Sequence, residues 1–514
     1  MHLARGMNKV HDSNSHVNGT NGSPTVPPVA PKPAPAKLAD GSAGVSRVNF
    51  QTVEGIKLCG MLAHFTRQSA TFEFHGPATI LRAAEALTDF QIEICGQTAY
   101  SGRAVIANLL DGGSNTFCEV TLDENLWAGK INLLETPAAT GGKGHLELGF
   151  KEFLQNWQSL YKISPEYKLA LVDMQTYFTD LKLWLNQLEI SIQAVPEIEQ
   201  PALERKIIAE VGRLAFPTFA ALFERFELAA KAVDKKHLPP HQALVKRMLH
   251  PLILCSPFMH RIYSKPLGYA GDYEMVNMIL RDPHEGDSLF AKLLNVFILG
   301  QVPGEAHRNR VIYLVHRLVE EVGRMAQQGK VCRIYNLGCG PAGEVQQFLR
   351  AHDLSQHAQF TLLDADDETL RNTGKLLESI KSKHNRRTPL KLVKKSVHQL
   401  LKPSDRNKSA GEKYDYIYSA GLFDYLTDQV GRTIIELTYN LLAPGGLLLI
   451  TNVDPVNPIK NIMDHIYDWP LIYRDGRQLA ELAARLPADA SIAIRAEYTS
   501  ANVILEVRKP SLNP

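Results

Sequence analysis

Gly338 and Gly340 stand in the run Tyr335-Asn336-Leu337-Gly338-Cys339-Gly340-Pro341-Ala342-Gly343-Glu344, after an apolar stretch and before a helical pattern. Glycines there allow a tight turn and a close approach of backbone to a ligand. A helix opening near Pro341 offers unpaired N–H groups. Asp364 follows about twenty residues past the glycines, where a carboxylate at a strand end accepts both hydroxyls of a ribose. Asp366 competes for that role but fits the strand end less well. Together the glycines and the acid point to a nucleoside-bearing ligand, whereas the glycines alone are shared by several nucleotide-binding folds.

Two further segments carry groups suited to holding a nucleophile. Pro266–Met275 alternates tight glycines with aromatics and acids, as a shaped loop over a ligand does, and offers Tyr269 and Tyr273. Close by, His307-Arg308-Asn309-Arg310 suits an anion clamp, with Arg308 as its candidate. Asn457–Arg474 follows the fifth expected strand of the C-terminal region and offers His465 and Trp469; ligand sites in such folds gather at the carboxyl ends of strands. The bland alternatives are a linker turn, an exposed helix face and ordinary packing.

The elements that must position these groups alternate from Cys332 onward. Strands are expected at Cys332–Leu337, Phe360–Asp364, Leu390–Lys394, Tyr414–Ser419 and Gly446–Asn452, with helices after Pro341, Asp367 and Asp428. Ser491–Glu497 and Asn502–Arg508 would close the sheet as an antiparallel hairpin. This is a doubly wound, Rossmann-like, seven-stranded α/β domain over 330–514. Its text resembles class I methyltransferases in four places, in order: the glycine turn, Leu363-Asp364-Ala365-Asp366-Asp367-Glu368, Tyr414–Leu422, and Leu441–Leu449 with its Pro444-Gly445-Gly446 turn. The resemblance implies S-adenosylmethionine as cofactor, touched by Asn336, Gly338, Gly340, Gly343, Asp364, Ala365, Ser396, Val397 and Ser419. One departure is Lys395-Ser396-Val397-His398, where many relatives place an acid for the adenine; Ser396 or the Val397 backbone is the expected substitute. No NPPY-type motif follows the fourth strand. Ser419–Tyr425 is apolar and aromatic instead, which favours a small or lipidic substrate. A carboxylate nucleophile is ionised near neutral pH and needs only orientation; a hydroxyl would need a base such as His or Asp.

The rest of the 514-residue chain divides by pattern. Residues 1–44 are rich in Asn, Ser, Gly, Pro and Ala and read as a disordered tail. Over 45–134, Phe72 and Phe74 alternate with Glu73, and Phe90, Ile92 and Ile94 with Gln91 and Glu93. With glycine turns between, that predicts a small antiparallel barrel, and its layout resembles PilZ domains, although their RxxxR and (D/N)xSxxG ligand motif is not legible around Arg47. Over 149–328, Leu203, Ile207, Ile208, Val211 and Leu214 fall at helical spacing, with a break or kink expected at Pro217; a substrate cap is the expected role. A net charge of +2 favours neither nucleic acid nor an anionic membrane. Six scattered cysteines without a CxxC pair argue against a zinc site or a disulfide framework, and no metal is expected. No apolar run reaches the roughly 18 residues of a membrane span, so a cytoplasmic protein is expected. Met7 is an alternative start.

GYAGDYEMVNMI, HRNR, NLGCGPAGE and DHIYDWPLIYR together resemble the PhcB-type methyltransferases, from the barrel to the C-terminus. The resemblance implies methyl transfer to the carboxylate of a long-chain 3-hydroxy fatty acid, free or carried by acyl carrier protein. The product would be a quorum-sensing signal such as 3-hydroxypalmitic acid methyl ester, with virulence regulation downstream. Two other readings stay open: a methyltransferase acting on another small molecule or protein side chain, and a signalling adaptor whose barrel senses a cyclic dinucleotide.

Overall fold

The computed structural model describes residues 46–75, 81–94, 97–111, 115–123, 126–127, 154, 162–234, 237–402 and 412–511. The expected tail lies outside the described residues. Six strands, β1 (Arg47–Gln51), β2 (Lys57–Phe65), β3 (Ser69–His75), β4 (Ala86–Ile94), β5 (Gln97–Asp111) and β6 (Asn115–Leu122), close into a barrel of order β1-β2-β3-β6-β5-β4. Every neighbouring pair is antiparallel. The period-two pattern turns Val48, Phe50, Phe72, Phe74, Phe90 and Ile92 inward, all of them buried. The Phe50 ring lies 5.1 Å from Phe72 and 6.3 Å from Phe90, so aromatic packing fills the barrel.

Among the described residues eight helices follow: α1 (Pro165–Ile192), α2 (Gln200–Lys231), α3 (Leu238–Met248), α4 (His250–Ile253), α5 (Pro257–Ser264), α6 (Tyr273–Leu280), α7 (Leu289–Leu299) and α8 (Val302–Gln327). The expected break at Pro217 does not occur; α2 runs through it as one helix. Ile208 and Ala215 before the proline, and Phe219, Phe223 and Phe226 after it, are buried in one core. Shared packing of that face outweighs the roughly 3 kcal/mol that an interior proline costs.

The C-terminal sheet contains β7 (Cys332–Leu337), β8 (Ala358–Asp364), β9 (Leu390–Lys394), β10 (Tyr414–Ser419), β11 (Leu442–Val453), β12 (Ser491–Ala496) and β13 (Asn502–Arg508), in the order β12-β13-β11-β10-β7-β8-β9. β7 to β11 are parallel, and β13 runs antiparallel to both β11 and β12. This is the class I methyltransferase arrangement. Between the strands lie α9 (Gly343–Ala351), α10 (Asp367–Lys383), α11 (Val397–Leu401), α12 (Asp428–Leu441), α13 (Lys460–His465) and α14 (Gly476–Glu481).

Two features join the helical region to the sheet. Ile459, Ile462, Met463 and Ile466, from the chain after β11, are buried in the core built by α1 to α7. Helix α8 packs Leu314, Leu318, Val322 and Met325 onto the sheet, while its first half faces a cavity.

Candidate functional site

At one end of that cavity the backbone dominates. Gly338 (φ +70°) and Gly340 (φ +50°) sit in the left-handed region, so the chain turns sharply between β7 and α9. Asp364 is the last residue of β8 and only 7% exposed. Its carboxylate accepts from the Gly340 N–H (3.0 Å) and from the Asp366 N–H (3.1 Å), tying the glycine turn to the second strand. Burial pushes its carboxyl up; the two N–H donors and the Arg82 guanidinium pull it back. Asn336 donates from Nδ2 to Glu344 (3.1 Å), which also accepts from the Tyr418 hydroxyl (2.7 Å). The Asn336 Oδ1 is buried with no partner among the described residues.

The cavity continues away from this cradle, with about 1720 Å³ of free space when the open solvent at its mouth is counted. Its apolar wall comes from distant segments: Phe258 of α5, Met275 and Ile279 of α6, Ile298 and Leu299 of α7, and Met463 of α13, all buried. Charge enters the wall at one cluster. Arg310 is buried and forms no ion pair among the described residues. It donates to Asn502 Oδ1 (3.3 Å) and to His307 Nδ1 (2.9 Å). It lies over Gly421, its Nη2 3.3 Å from where a Cβ would stand, and the neighbouring Leu422 side chain packs against Gly338. Burial lowers the Arg310 pKa, while Asp424 and Glu344 oppose that shift. Asp424 accepts from the Val453 N–H (2.7 Å); burial raises its carboxyl to about 6 against the pull of Arg310. His307 is held well below its ordinary pKa by burial and by the nearby guanidinium groups. It is therefore a neutral imidazole, and both its ring nitrogens lie near the Arg310 Nη2, Nδ1 at 2.9 Å and Nε2 at 3.4 Å.

Of the residues expected to touch the cofactor, Asn336, Gly338, Gly340, Gly343, Asp364, Ala365 and Val397 line the cavity. Ser396 and Ser419 do not. Ser396 is the N-cap of α11, in a capping box with Gln399. Ser419 donates to the Leu337 carbonyl (2.8 Å), clamping β10 to β7. Asp366 caps α10 by accepting from the Thr369 N–H (2.7 Å). Of the nucleophile-holding candidates, Tyr269 and Trp469 line the cavity, and Trp469 donates to the Tyr425 hydroxyl (2.9 Å). The other three lie outside it. Arg308 donates to the carbonyls of Ile279 (3.3 Å) and Leu299 (3.1 Å), pinning the ends of α6 and α7. Tyr273 donates to Glu368 (2.9 Å) across the surface. His465 contacts the Tyr167 hydroxyl (2.9 Å) in the helical core, where burial lowers its pKa to about 3.

Sequence reasoning gave no role to Arg82, Asp424 or Tyr467, and it preferred Arg308 to Arg310. The spacing of His307, Arg310 and Leu314 on one helix carried a signal, since positions three and four apart share a face. Arg82 had none: it follows β3 in the barrel, pairs with Glu54 (3.6 Å), and reaches the cradle only through tertiary packing.

No protein-family profile matches the chain, and no curated protein matches it. Solved structures resemble it at low identity. One is a possible exported protein from Bordetella parapertussis, 16% identical over 58% of this chain and 97% of that one, with a TM-score of 0.41. A second is magnesium protoporphyrin IX methyltransferase from Synechocystis with bound SAH, 13% identical over 49% and 97%, TM-score 0.34. A third is an O-methyltransferase family protein from Burkholderia thailandensis, 15% identical over 47% and 69%, TM-score 0.29.

Proposed function

We propose that this protein is an S-adenosylmethionine-dependent methyltransferase that esterifies the carboxylate of a long-chain acid. The substrate class implied by the PhcB-type resemblance is a 3-hydroxy fatty acid. One observation carries the reading: a single cavity holds a nucleoside cradle, a buried guanidinium without an ion pair among the described residues, and an apolar chamber.

The residues of the cradle fit the cofactor. Asp364 is placed to accept ribose hydroxyls, the turn at Gly338 and Gly340 leaves backbone open to a ligand, and the orphaned Asn336 Oδ1 is an acceptor for an ammonium or amide donor. Bound there, S-adenosylmethionine supplies a methyl group on a cationic sulfur, which a carboxylate oxygen takes as the carbon–sulfur bond breaks and S-adenosylhomocysteine is left. Arg310 contributes orientation, since its planar fork matches a carboxylate. The neutral His307 ring beside it keeps one N–H, a second donor at this end of the chamber. No base is required, because a carboxylate is ionised at neutral pH. The apolar walls keep water from the reacting groups, and the chain of an acid buried there gains about 0.8 kcal/mol per methylene. A carrier-linked thioester exposes no carboxylate, so the free acid is the form that fits this chemistry.

Purified protein given labelled cofactor and 3-hydroxypalmitate, free or carrier-linked, should release labelled methyl ester from the free acid. Absence of ester from the free acid would sink the proposal. A second reading rests on Asp424, whose carboxyl near 6 suits a general base at neutral pH. It would serve a hydroxyl nucleophile, and the product would then be an ether rather than an ester.

A further inference from the structure

Tyr467 belongs to the chain between α13 and β12, where its N–H donates to the Ile462 carbonyl (3.1 Å). Its side chain is 4% exposed, lines the cavity, and packs with the apolar core of the helical region. The hydroxyl is buried with no hydrogen-bond partner among the described residues. Neighbouring polar side chains of the same wall use protein partners: Asn457 donates to Met463 Sδ (3.2 Å) and accepts from the Ile459 N–H (3.2 Å), and Gln301 donates to the Phe297 carbonyl (3.1 Å). A buried hydroxyl left unpaired costs about 1–3 kcal/mol. A phenylalanine would fill the same volume without that cost, so the hydroxyl makes sense as a group completed by what enters the chamber.

We infer that Tyr467 reads a hydroxyl or oxo group on the substrate's chain, making the chamber selective for oxygenated over plain aliphatic acids. The inference rests on the proposed function for the presence of an acid, and on Tyr467 alone for the selectivity. The physical basis is asymmetric: a site built to pair with a substrate oxygen penalises the analogue that lacks it, because its own polar group then stays unpaired. A plain apolar wall would show the opposite order, since the extra hydroxyl would have to be desolvated for no return.

The test is calorimetric titration of the full chain with dodecanoate and with its 2-hydroxy, 3-hydroxy, 10-hydroxy and 3-oxo derivatives, with ester formation followed in parallel. The wild-type protein should bind at least one oxygenated acid about tenfold or more tighter than dodecanoate. In Tyr467→Phe that ratio should fall to about one, through weaker binding of the oxygenated acid and equal or tighter binding of the plain one. A merely structural tyrosine would weaken both acids together. Equal wild-type affinities for all the acids, a preference that survives in Tyr467→Phe, or no binding of any acid overturns the inference. Discrimination in binding without ester formation overturns the proposed reaction and leaves the inference standing. Ester formation without discrimination does the reverse.

Discussion

The two ends of the cavity are built on opposite principles. The nucleoside cradle is backbone and loop: a turn bent by Gly338 and Gly340, an Asp364 carboxylate held by two N–H groups, and one helix opening. The chamber is side chain and helix: Phe258, Ile298 and Met463 come from three separate elements, and Arg310 sets a buried charge in the same cavity. The cradle thus recognises a ligand by direction and the chamber by exclusion of water. Mutations at the two ends should fail differently, in cofactor affinity at one and in acid recognition at the other.

The largest expected effect is at the cradle. Asp364→Ala removes the acceptor for two hydroxyls, each charge-assisted bond being worth about 2 kcal/mol, so cofactor affinity should fall about a thousandfold. Calorimetry showing a Kd within tenfold of wild type would break the assignment. Arg310→Met should lower kcat/KM for the acid by several hundredfold, about 3.5 kcal/mol, while the cofactor Kd stays within a few fold. A matching loss of cofactor binding would erase the distinction between the two ends.

Asp424 sharpens the comparison through pH. Its carboxyl rises from 3.8 to about 6 in the folded protein, so the folded state binds that proton more tightly than the unfolded chain does. The stability it contributes is fully present below about 4 and is lost as pH rises through about 6. Asp424→Asn should therefore match wild type near pH 4 and exceed it by on the order of 3 kcal/mol at pH 8. Denaturant midpoints at the two pH values check this; a variant less stable at pH 8 contradicts it. The smallest effect belongs to Tyr273, which lies outside the cavity. Tyr273→Phe should change stability by less than about 0.5 kcal/mol and leave kcat/KM as it was. A tenfold loss would return this tyrosine to the site.

Legibility in the sequence followed the same division. The cradle lies in a few contiguous runs, and strand periodicity put Asp364 at its strand end. The chamber depends on which side chains face inward from segments some two hundred residues apart, as Phe258 and Met463 do, and no local pattern carries that. Where an expected residue lies off the cavity, the cause is local. Ser396-Val397-His398-Gln399 matches the S-x-x-Q capping box, and the serine spends its side chain on α11. Arg308 and Arg310 are two positions apart on α8 and so face different ways. Only Arg310 reaches the cavity; Arg308 holds carbonyls of two other helices. Pro217 does not end α2, because helix propensity is local and the core that overrides it is not.

Gly268 ties the barrel to this arrangement. Its φ is +85°, its carbonyl accepts from the Ala86 N–H of β4, and a Cβ at its position would collide with Val53. The next residue, Tyr269, lines the cavity, and Arg82 of the barrel lines it too. The barrel and the loop before α6 therefore form one packing unit: exchanging either alone would bring together surfaces that do not fit. Val53 and Ala86 are constrained by their contact with Gly268, and Arg82 by its place in the cavity wall.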